Sequence, residues 1–233
     1  MSPERPALRP TLRAVCVDLD GTLYSIRRMM WGHLRTLWPL RGFFRELNRV
    51  RRELRREGRL ADYRAEQARR LAQRLGVTAA EAERRIHEVV EQRWMAVFAS
   101  TRPRPGVGRA LTELHDQGLA LALLSDYPVG QKLRGLGLAE LPFSVTLNAE
   151  ETGALKPDRA PFEAVLARLD LPPERVLHIG DLEATDVSGA LAAGMRAARI
   201  HERRRPPPTR AELVFRDWRE LLPLLRARGM LPP

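Results

Sequence analysis

Short, nearly continuous apolar runs alternate with helical patterns along most of the chain. Such runs are typical of strands that are buried on both faces of a parallel sheet. Strand alternating with helix predicts an α/β fold, a Rossmann-like parallel sheet with helices on both faces. The predicted strands are 13–17, Leu119–Leu124, Val145–Leu147, Val176–Ile179 and Ala197–Ile200. The predicted helices are Val107–Gln117, Val129–Leu136, Ala160–Leu169, Glu183–Ala193 and Trp218–Arg226, with an exposed loop at Pro206–Pro208.

Residues 24–103 show only helical patterns, so we predict a helical insertion, residues 24–103, in an α/β core of residues 1–23 and 104–233. Thr78 and Glu81 have the spacing of a capping box that begins one of its helices. Another helix has an apolar face with an arginine stripe opposite it, at about 100° per residue. The apolar positions are Leu40, Phe43, Leu47, Val50 and Leu54, and the stripe is Arg41, Arg45, Arg49, Arg52 and Arg56.

The basic charge of the chain is concentrated in this insertion. The whole chain has 40 basic and 29 acidic residues and a net charge of +11. The insertion holds 19 arginines, no lysine and nine acidic residues, a net charge of +10, which leaves +1 for the rest. A basic surface can recruit nucleic acid or an anionic substrate, but such patterns usually mark a solvated helix face. We favour the solvated face and keep an Arg-rich nucleic-acid-binding protein as the alternative from a different functional class.

Composition excludes several classes of protein. The single cysteine, Cys16, excludes an intramolecular disulfide framework and a cysteine-rich zinc site. The longest aliphatic run, Leu119–Leu124, is far too short to span a membrane. Residues 1–11 lack the apolar centre of a signal sequence. We therefore expect a cytoplasmic protein with no membrane partner.

Reactive side chains follow the predicted strands, at the edge where open parallel sheets bind ligands. Four carboxylates gathered there would repel one another, and Mg²⁺ is a hard cation suited to carboxylate and water ligands. One carboxylate can attack phosphorus, a second can protonate the leaving oxygen, and lysine and serine can stabilise phosphoryl oxygens. The residues at this edge are Asp18, Asp20, Ser125, Lys156, Asp181 and Asp186.

These positions resemble the four motifs of the haloacid dehalogenase-like (HAD) hydrolase superfamily. The resemblance covers about residues 12–23 and 104–200, and the motifs stand in the order that the family has. It implies the phosphatase branch, with a helical cap inserted after the first motif. The matching segments are Asp18-Leu-Asp-Gly-Thr-Leu, Ser125, Lys156-Pro157 and Gly180-Asp181 with Asp186.

The resemblance implies roles for the residues of the first motif. Asp18 matches the nucleophile, which forms an aspartyl-phosphate. Asp20 matches the general acid/base, and its backbone carbonyl would also bind Mg²⁺. Thr22 lies in the turn that the family uses at the phosphate.

The other motifs complete the implied site. Ser125 matches the hydroxyl that contacts the phosphoryl group, and Lys156 matches the lysine that steadies the nucleophile and phosphate. Asp181 matches the metal-ligand aspartate. Asp186 matches the second acid of that motif, more often a partner of metal-bound water or lysine. The implied metal set is Asp18, Asp20, Asp181 and Asp186, and the implied substrate-binding set is Thr22, Ser125 and Lys156.

Asp20 favours phosphoryl chemistry over dehalogenation, because members that cleave carbon–halogen bonds lack this second aspartate. A phosphomutase or a dehalogenase on the same scaffold stays open as an alternative. The chain departs from the family pattern at Asp126, where Asn often follows the serine. An acid so near the phosphate is unhelpful unless it points away or binds backbone. The implied cofactor is Mg²⁺ and the implied substrate is a small phosphorylated metabolite.

The insertion raises the question of which residues choose the substrate. Arg27, Arg28 and Arg35 follow the first motif closely and are the candidates for substrate contact. A methionine and tryptophan stripe could line a pocket, but at helical spacing we favour core packing. This stripe is Met29, Met30, Trp31, Leu34 and Trp38.

Five further residues are interpreted as having no catalytic role. We expect Cys16 and His178 to be packed in strands, and His87 and His115 to lie on the surface. Glu183 is interpreted as an acid at a helix N-terminus. Lys132, one of two lysines in the chain, has no assigned role.

Overall fold

A parallel sheet forms the centre of the molecule, as predicted, but it has six strands, one more than the sequence predicts. The computed structural model describes residues 11–206 and 208–231. Residues 1–10 and 232–233 of the predicted core, and Pro207 of the predicted loop, lie outside the described residues. The strand order is β3-β2-β1-β4-β5-β6. The strands are β1 Ala14–Val17, β2 Ala120–Ser125, β3 Phe143–Asn148, β4 Val176–Gly180, β5 Arg196–Ile200 and β6 Leu213–Phe215.

The central position of β1 follows from its sequence. All four of its residues are buried, and it pairs with β2 on one side and β4 on the other. The chain order reverses beside β1, and such a switch point leaves a crevice at the carboxyl ends of the strands. The sixth strand, β6, was not predicted, because three apolar residues between charged ones are too short to show a periodicity.

Helices pack against the sheet and form the insertion. In the core, α9 packs on β2 and β3, α7 on β2, and α10 on β5. The predicted helix Glu183–Ala193 is divided, because its first turn, Glu183–Val187, is π-helical. The α-helices are α1 Ile26–Gly32, α2 Leu34–Leu37, α3 Arg41–Glu57, α4 Tyr63–Leu75, α5 Ala79–Ile86, α6 Trp94–Ala96, α7 Val107–Asp116, α8 Gly130–Gly135, α9 Arg159–Leu169, α10 Ser188–Ala192 and α11 Leu221–Ala227.

The helices α1 to α6 all lie between β1 and α7, in the segment predicted to be helical. The Thr78 side chain caps α5 by accepting a hydrogen bond from the Glu81 N–H at 3.2 Å. The chain leaves and re-enters the core at one place, since Tyr24 and Pro103 form an antiparallel bridge. Beside it, the Arg104 N–H donates to the Leu23 carbonyl at 2.7 Å. The helical insertion is thus attached through two adjacent segments of backbone.

Helix α3 has the two faces that the sequence predicts. Leu47, Val50 and Leu54 are fully buried, and the arginine stripe opposite them is exposed at all five positions. This arrangement buries the hydrophobic face of α3 and leaves the guanidinium groups of the stripe in water. The stripe is therefore a solvated helix face.

The interpretation of the methionine and tryptophan stripe as core is wrong for four of its five members. Met29 is buried, but the exposed fraction of Trp31 is 75%, and Met30, Leu34 and Trp38 are exposed as well. Helix α1 ends at Gly32 after seven residues, so only one side of this short segment reaches the core. Helical spacing alone could not show which side has a partner to pack against.

Within the described residues, no helix is long and apolar enough to cross a membrane.

Candidate active site

Asp18 stands at the carboxyl end of β1 with both of its side-chain oxygens occupied. Its N–H donates to the Ile179 carbonyl at 2.8 Å, which continues the sheet pairing to the site. The Thr22 hydroxyl donates to Asp18 Oδ2 at 2.9 Å, and Lys156 Nζ donates to Asp18 Oδ1 at 2.6 Å. The carboxylate is therefore fixed in orientation by a hydroxyl on one oxygen and an ammonium on the other.

The turn after Asp18 needs glycine for two reasons. Gly21 has a φ of +97°, a conformation that residues with a Cβ rarely adopt. A Cβ at Gly21 would also lie 2.4 Å from Asp181 Oδ2. The glycine thus brings the first and fourth motifs into direct contact.

Lys156 joins two aspartates at the centre of the site. Its Nζ donates at 2.6 Å to Asp18 Oδ1 and at 2.6 Å to Asp186 Oδ1. Burial lowers the pKa of Lys156, but the two carboxylates outweigh burial and hold that pKa well above its ordinary value. Asp186 is fixed further by the Leu182 N–H at 3.1 Å and by His178 Nε2 at 3.4 Å.

Three carboxylates, Asp18, Asp181 and Asp186, place oxygens within 4.8 Å of one another. Burial and then Asp186 raise the pKa of Asp181 to about 7. Burial raises the pKa of Asp18 well above its ordinary value, with Lys156 opposing and the other carboxylates adding. For Asp186, burial raises the pKa but Lys156 and His178 outweigh it, so the pKa falls below its ordinary value.

This cluster fits a hard divalent cation. Three carboxylates face one ammonium, so negative charge is in excess, and Asp181 Oδ1 is buried without a hydrogen-bond partner. Oxygen ligands with a net negative charge suit a hard divalent cation. The carboxylate of Asp20 is not part of the cluster.

Asp20 instead faces a second set of partners. Lys132 Nζ donates to both of its carboxylate oxygens, at 2.7 and 2.6 Å, and the Tyr24 hydroxyl donates to Oδ1 at 2.6 Å. The Ser125 hydroxyl lies 3.4 Å from Asp20 Oδ2, and Ser125 Oγ accepts from the Tyr127 N–H at 3.2 Å. The residues of the four motifs therefore meet at one edge of the sheet.

Asp126, the departure from the family pattern, is accounted for by its contacts. Its Oδ1 accepts a hydrogen bond from the Lys156 backbone N–H at 3.1 Å. Its Oδ2 accepts one from Arg55 Nη2 at 2.7 Å, and Arg55 Nε also donates to the Lys156 carbonyl at 3.0 Å. The acid is therefore paired with an arginine of the insertion and with backbone.

Sequence reasoning missed Lys132, Tyr24, Arg51 and Arg55. Arg51, fully buried on α3, donates to Glu150 and to the Asp126 carbonyl, so α3 is joined to the core by two arginines. Their partners are distant in sequence, so no local pattern reveals them. One signal existed for Lys132: a chain with 38 arginines keeps only two lysines, and both lie in this site.

The structure does not bring the three proposed substrate-contact arginines to the motif residues. Arg27 and Arg28 are exposed and line a cavity of about 660 Å³ beside the segments that join the insertion to the core. Arg35 is exposed on α2. None of the seven predicted site residues lines this cavity, although all seven are described.

The residues interpreted as non-catalytic lie mostly as expected. Cys16 is buried, and His87 and His115 are exposed. His178 is buried but is more than packing, because it contacts both Cys16 Sγ and Asp186 Oδ1 at 3.4 Å. Glu183 lies in the first turn of the π-helical segment and accepts hydrogen bonds from Thr209 and Arg210.

The chain also matches a protein-family model over a longer stretch than the four motifs. The model of the haloacid dehalogenase-like hydrolases matches residues 12–194. The chain belongs to this hydrolase family.

Relatives with assigned activities include phosphatases. The chain is 36% identical over 148 residues to the phosphoserine phosphatase of Thermus thermophilus, a match that spans 60% of this chain and 57% of that relative. It is 30% identical over 205 residues to the glyceraldehyde 3-phosphate phosphatase of Methanopyrus kandleri, spanning 81% and 84%. Among solved structures, a 2-haloacid dehalogenase from Pseudomonas syringae has a TM-score of 0.68 at 24% identity, covering 94% of this chain and 100% of that one. The last likeness concerns the fold alone.

Proposed function

We propose that this hydrolase is a Mg²⁺-dependent phosphatase that acts on a small phosphorylated metabolite. The observation that carries the proposal is the Asp20 carboxylate, which lies beside Ser125 at the edge where Asp18 ends β1. The leaving oxygen of a phosphoester needs a proton, whereas a halide leaves without one. The named phosphatase relatives support the same choice.

Asp18 attacks phosphorus in the first half of the reaction. A bond forms between a carboxylate oxygen of Asp18 and phosphorus, and the bond from phosphorus to the leaving oxygen breaks. Asp20 gives its proton to that oxygen, so an alcohol departs. Lys156, Ser125 and Thr22 place an ammonium and two hydroxyls where they can hold the phosphoryl oxygens.

Water completes the reaction in the second half. Asp20, now a carboxylate, takes a proton from the attacking water. The oxygen of that water bonds to phosphorus, and the bond to Asp18 breaks, which releases inorganic phosphate and restores both aspartates. A phosphomutase would differ only here, because a second substrate hydroxyl would replace water.

The carboxylate cluster supports the metal requirement. Asp18 and Asp181, with the backbone carbonyl of Asp20, would hold Mg²⁺, and Asp186 would hold Lys156 or a metal-bound water. When bound, Mg²⁺ draws negative charge from the phosphoryl oxygens. Asp18 and Asp181, whose pKa values are raised by burial, can then coexist as carboxylates, because the cation neutralises their repulsion.

The burial of the site supports a cap role for the helical insertion. The side chains of Asp18, Lys156 and Asp186 are almost wholly buried. Arg51 and Arg55 hold α3 against the loops that carry Asp126 and Glu150. A substrate therefore enters when the insertion moves and reacts when it closes and excludes water. A closed site of this kind favours a small metabolite over a folded phosphoprotein.

Phosphate release by this protein should require Mg²⁺ and stop with EDTA. The substrates to be measured are an aryl phosphate, phosphoserine, glyceraldehyde 3-phosphate, phosphoglycolate, sugar phosphates and nucleoside monophosphates.

Loss of the nucleophile should stop the same reaction. Asp18→Asn should lower the rate of phosphate release by about 10⁴-fold or more, because the attacking oxygen is lost.

Asp116→Asn is the matched control, since Asp116 is exposed on α7, and it should keep the wild-type rate. Turnover that survives in Asp18→Asn would contradict the mechanism. Halide release from a 2-haloacid, without phosphate release from any ester, would favour the dehalogenase alternative. Transfer of the phosphoryl group to a second hydroxyl would favour the phosphomutase.

A further inference from the structure

Lys132, the lysine that no motif includes, is buried completely against the proposed general acid, Asp20. The exposed fraction of Lys132 is 0%, and its Nζ donates to Asp20 Oδ1 at 2.7 Å and Oδ2 at 2.6 Å. Lys132 lies on α8, a helix that carries none of the four motifs. Its ammonium is therefore committed to one carboxylate, the one that the reaction protonates and deprotonates.

Aromatic rings surround the ammonium on its other sides. Lys132 Nζ lies 4.1 Å from the ring centroid of Trp94, 5.4 Å from that of Tyr127 and 5.6 Å from that of Phe98. A ring face within about 6 Å attracts a cation and replaces part of its hydration. Trp94 and Phe98 belong to the helical insertion, whereas Tyr127 belongs to the core. The insertion thus completes the surroundings of this lysine.

Tyr24 fixes the same carboxyl from a second direction. Its hydroxyl donates to Asp20 Oδ1 at 2.6 Å, and its ring packs edge-on against Phe98 with centroids 5.1 Å apart. Oδ1 therefore has two donors, the Tyr24 hydroxyl and the Lys132 ammonium. Oδ2 has one such close donor, Lys132, and faces the Ser125 hydroxyl at 3.4 Å, which is the side of the proposed phosphoryl site.

We propose that Lys132 is a positioning residue that holds both oxygens of the Asp20 carboxyl, with Tyr24 as a second donor to Oδ1, so that Oδ2 faces the leaving oxygen. The aromatic surface of the insertion, Trp94 and Phe98, keeps the ammonium in place. The inference rests on the proposed phosphatase function, because Asp20 transfers a proton only to a leaving oxygen. Lys132 acts on the substrate only through Asp20.

The test uses two leaving groups that need the proton to different degrees. The leaving group of an alkyl phosphate is a strongly basic alkoxide, which depends on a well-placed acid. The leaving group of 2,4-dinitrophenyl phosphate is a weakly basic phenolate, which depends on that acid much less. Lys132→Met, of similar length and without charge, should lower kcat for the alkyl ester by about 10²-fold or more. The loss for the dinitrophenyl ester should be at least about tenfold smaller, and KM for both should change little. Asp20→Asn should show the same preference for the better leaving group.

Two further variants make the test decisive. Arg134→Met, a matched change at an exposed position of α8, should keep wild-type rates on both esters. Adding methylammonium to Lys132→Ala should restore part of the alkyl rate, because the small cation can occupy the vacated cage. Equal losses on the two esters with Lys132→Met in a folded protein would overturn the inference, since a purely structural role does not distinguish leaving groups.

If Lys132→Met does not fold, Trp94→Phe decides the question, because it changes the cage and leaves the lysine. A loss confined to the alkyl ester supports the inference, and an equal loss on both esters overturns it. Failure of the proposed function looks different: the wild-type protein would then release phosphate from neither ester.

Discussion

Each lysine of the chain is bound to a different aspartate of the first motif. Lys156 donates to Asp18, and Lys132 donates to Asp20. A compact ammonium can approach a carboxylate in a narrow space, whereas the planar guanidinium of arginine needs a wider site. Removing one partner of such a buried pair costs about 3–5 kcal/mol, because the other charge is left without compensation. The two lysines therefore keep a buried aspartate, Asp18, and a partly buried one, Asp20, in place only two residues apart.

Gly21 gives a prediction at the residue scale. Gly21→Ala should destabilise the protein by about 1–2 kcal/mol through its positive φ and also displace Asp181, whose Oδ2 lies 2.4 Å from the new Cβ. The displacement should weaken Mg²⁺ binding by about tenfold or more, roughly the loss expected for a disturbed metal environment. Thermal unfolding and isothermal titration with Mg²⁺ measure the two effects separately.

Gly118→Ala is the control for this prediction, since Gly118 has a φ of +81° and an added Cβ there would meet no atom within 4 Å. It should lower Tm in the same way but leave the affinity for Mg²⁺ unchanged. If both variants lose the same affinity, the close approach to Asp181 does not matter for the metal.

At this scale the sequence predicts side chains whose spacing is local and misses those whose partners are remote. Asp18, Asp20 and Thr22 belong to one turn, so their contacts could be expected. Lys132 and Arg55 have partners 112 and 71 residues away. Only the fold brings such pairs together, and nothing in the residues beside them indicates it.

Helix α3 has three kinds of arginine, and only one kind is visible in its periodicity. The stripe that includes Arg41 and Arg56 faces water, as the pattern predicts. Arg51 is fully buried, and Arg55 is partly buried against Asp126. An arginine at the border of an apolar face can be buried when a carboxylate on another element pairs with it. Helical periodicity does not show whether such a carboxylate is present. The short helices α1 and α2 illustrate the converse, because apolar spacing there did not ensure burial.

The pair formed by Arg55 and Asp126 gives a prediction at the element scale. A double-mutant cycle of Arg55→Met and Asp126→Asn should give a coupling free energy of about 1–3 kcal/mol in urea unfolding, because the pair is largely shielded from water. Both single variants should also lower kcat, since α3 is held less firmly over the site.

The exposed pair of Arg109 and Glu113 is the reference cycle. Its side chains are 85% and 37% exposed, so its coupling should stay near 0.5 kcal/mol, as is roughly usual for surface pairs. Coupling for Arg55 and Asp126 no larger than this reference would show that the pair does not fix the insertion.

The charge of the whole molecule is divided between a nearly neutral core and a basic insertion. The arginine stripe of α3 faces away from the buried apolar side. Its guanidinium groups are therefore solvated or paired with neighbouring acids such as Glu46. The stripe therefore gives no structural reason to prefer nucleic acid as a partner. The net charge, taken alone, pointed more strongly to nucleic acid than the fold does.

A variant with glutamine at all five stripe positions tests this assignment. Phosphate release should stay within about twofold of the wild type, as for most surface substitutions. The wild-type protein should show no strongly salt-dependent binding to DNA or RNA in electrophoretic shift assays. Binding that falls steeply with salt and disappears in the five-site variant would revive the nucleic-acid hypothesis.

The carboxylate cluster predicts how stability depends on pH. The pKa of Asp181 rises from 3.8 to about 7 on folding without metal, so the folded state binds an extra proton between these values. The stability that this proton gives is fully present below about pH 4 and is lost as the pH rises through about 7. Urea unfolding in EDTA should therefore show falling stability from pH 5.5 to 8.

With Mg²⁺ the trend should reverse, because the cation binds the deprotonated carboxylates and stabilises the folded state. Asp181→Asn should flatten both profiles and is the control for this assignment. Identical pH profiles in EDTA and in Mg²⁺ would show that the cluster binds no cation.

The bridge between Tyr24 and Pro103 has a consequence for how this protein can diversify. Two backbone segments that already lie side by side can be joined by a tight turn, or can carry a different helical module, without stretching β1 or displacing α7. Exchange at this single junction would leave Asp18, Ser125 and Lys156 on their strands and loops. It would remove Trp94 and Phe98 from the surroundings of Lys132, however, so a grafted module would have to supply two rings of its own. The junction allows the helical module to be exchanged, but the lysine that binds Asp20 depends on the module that covers it.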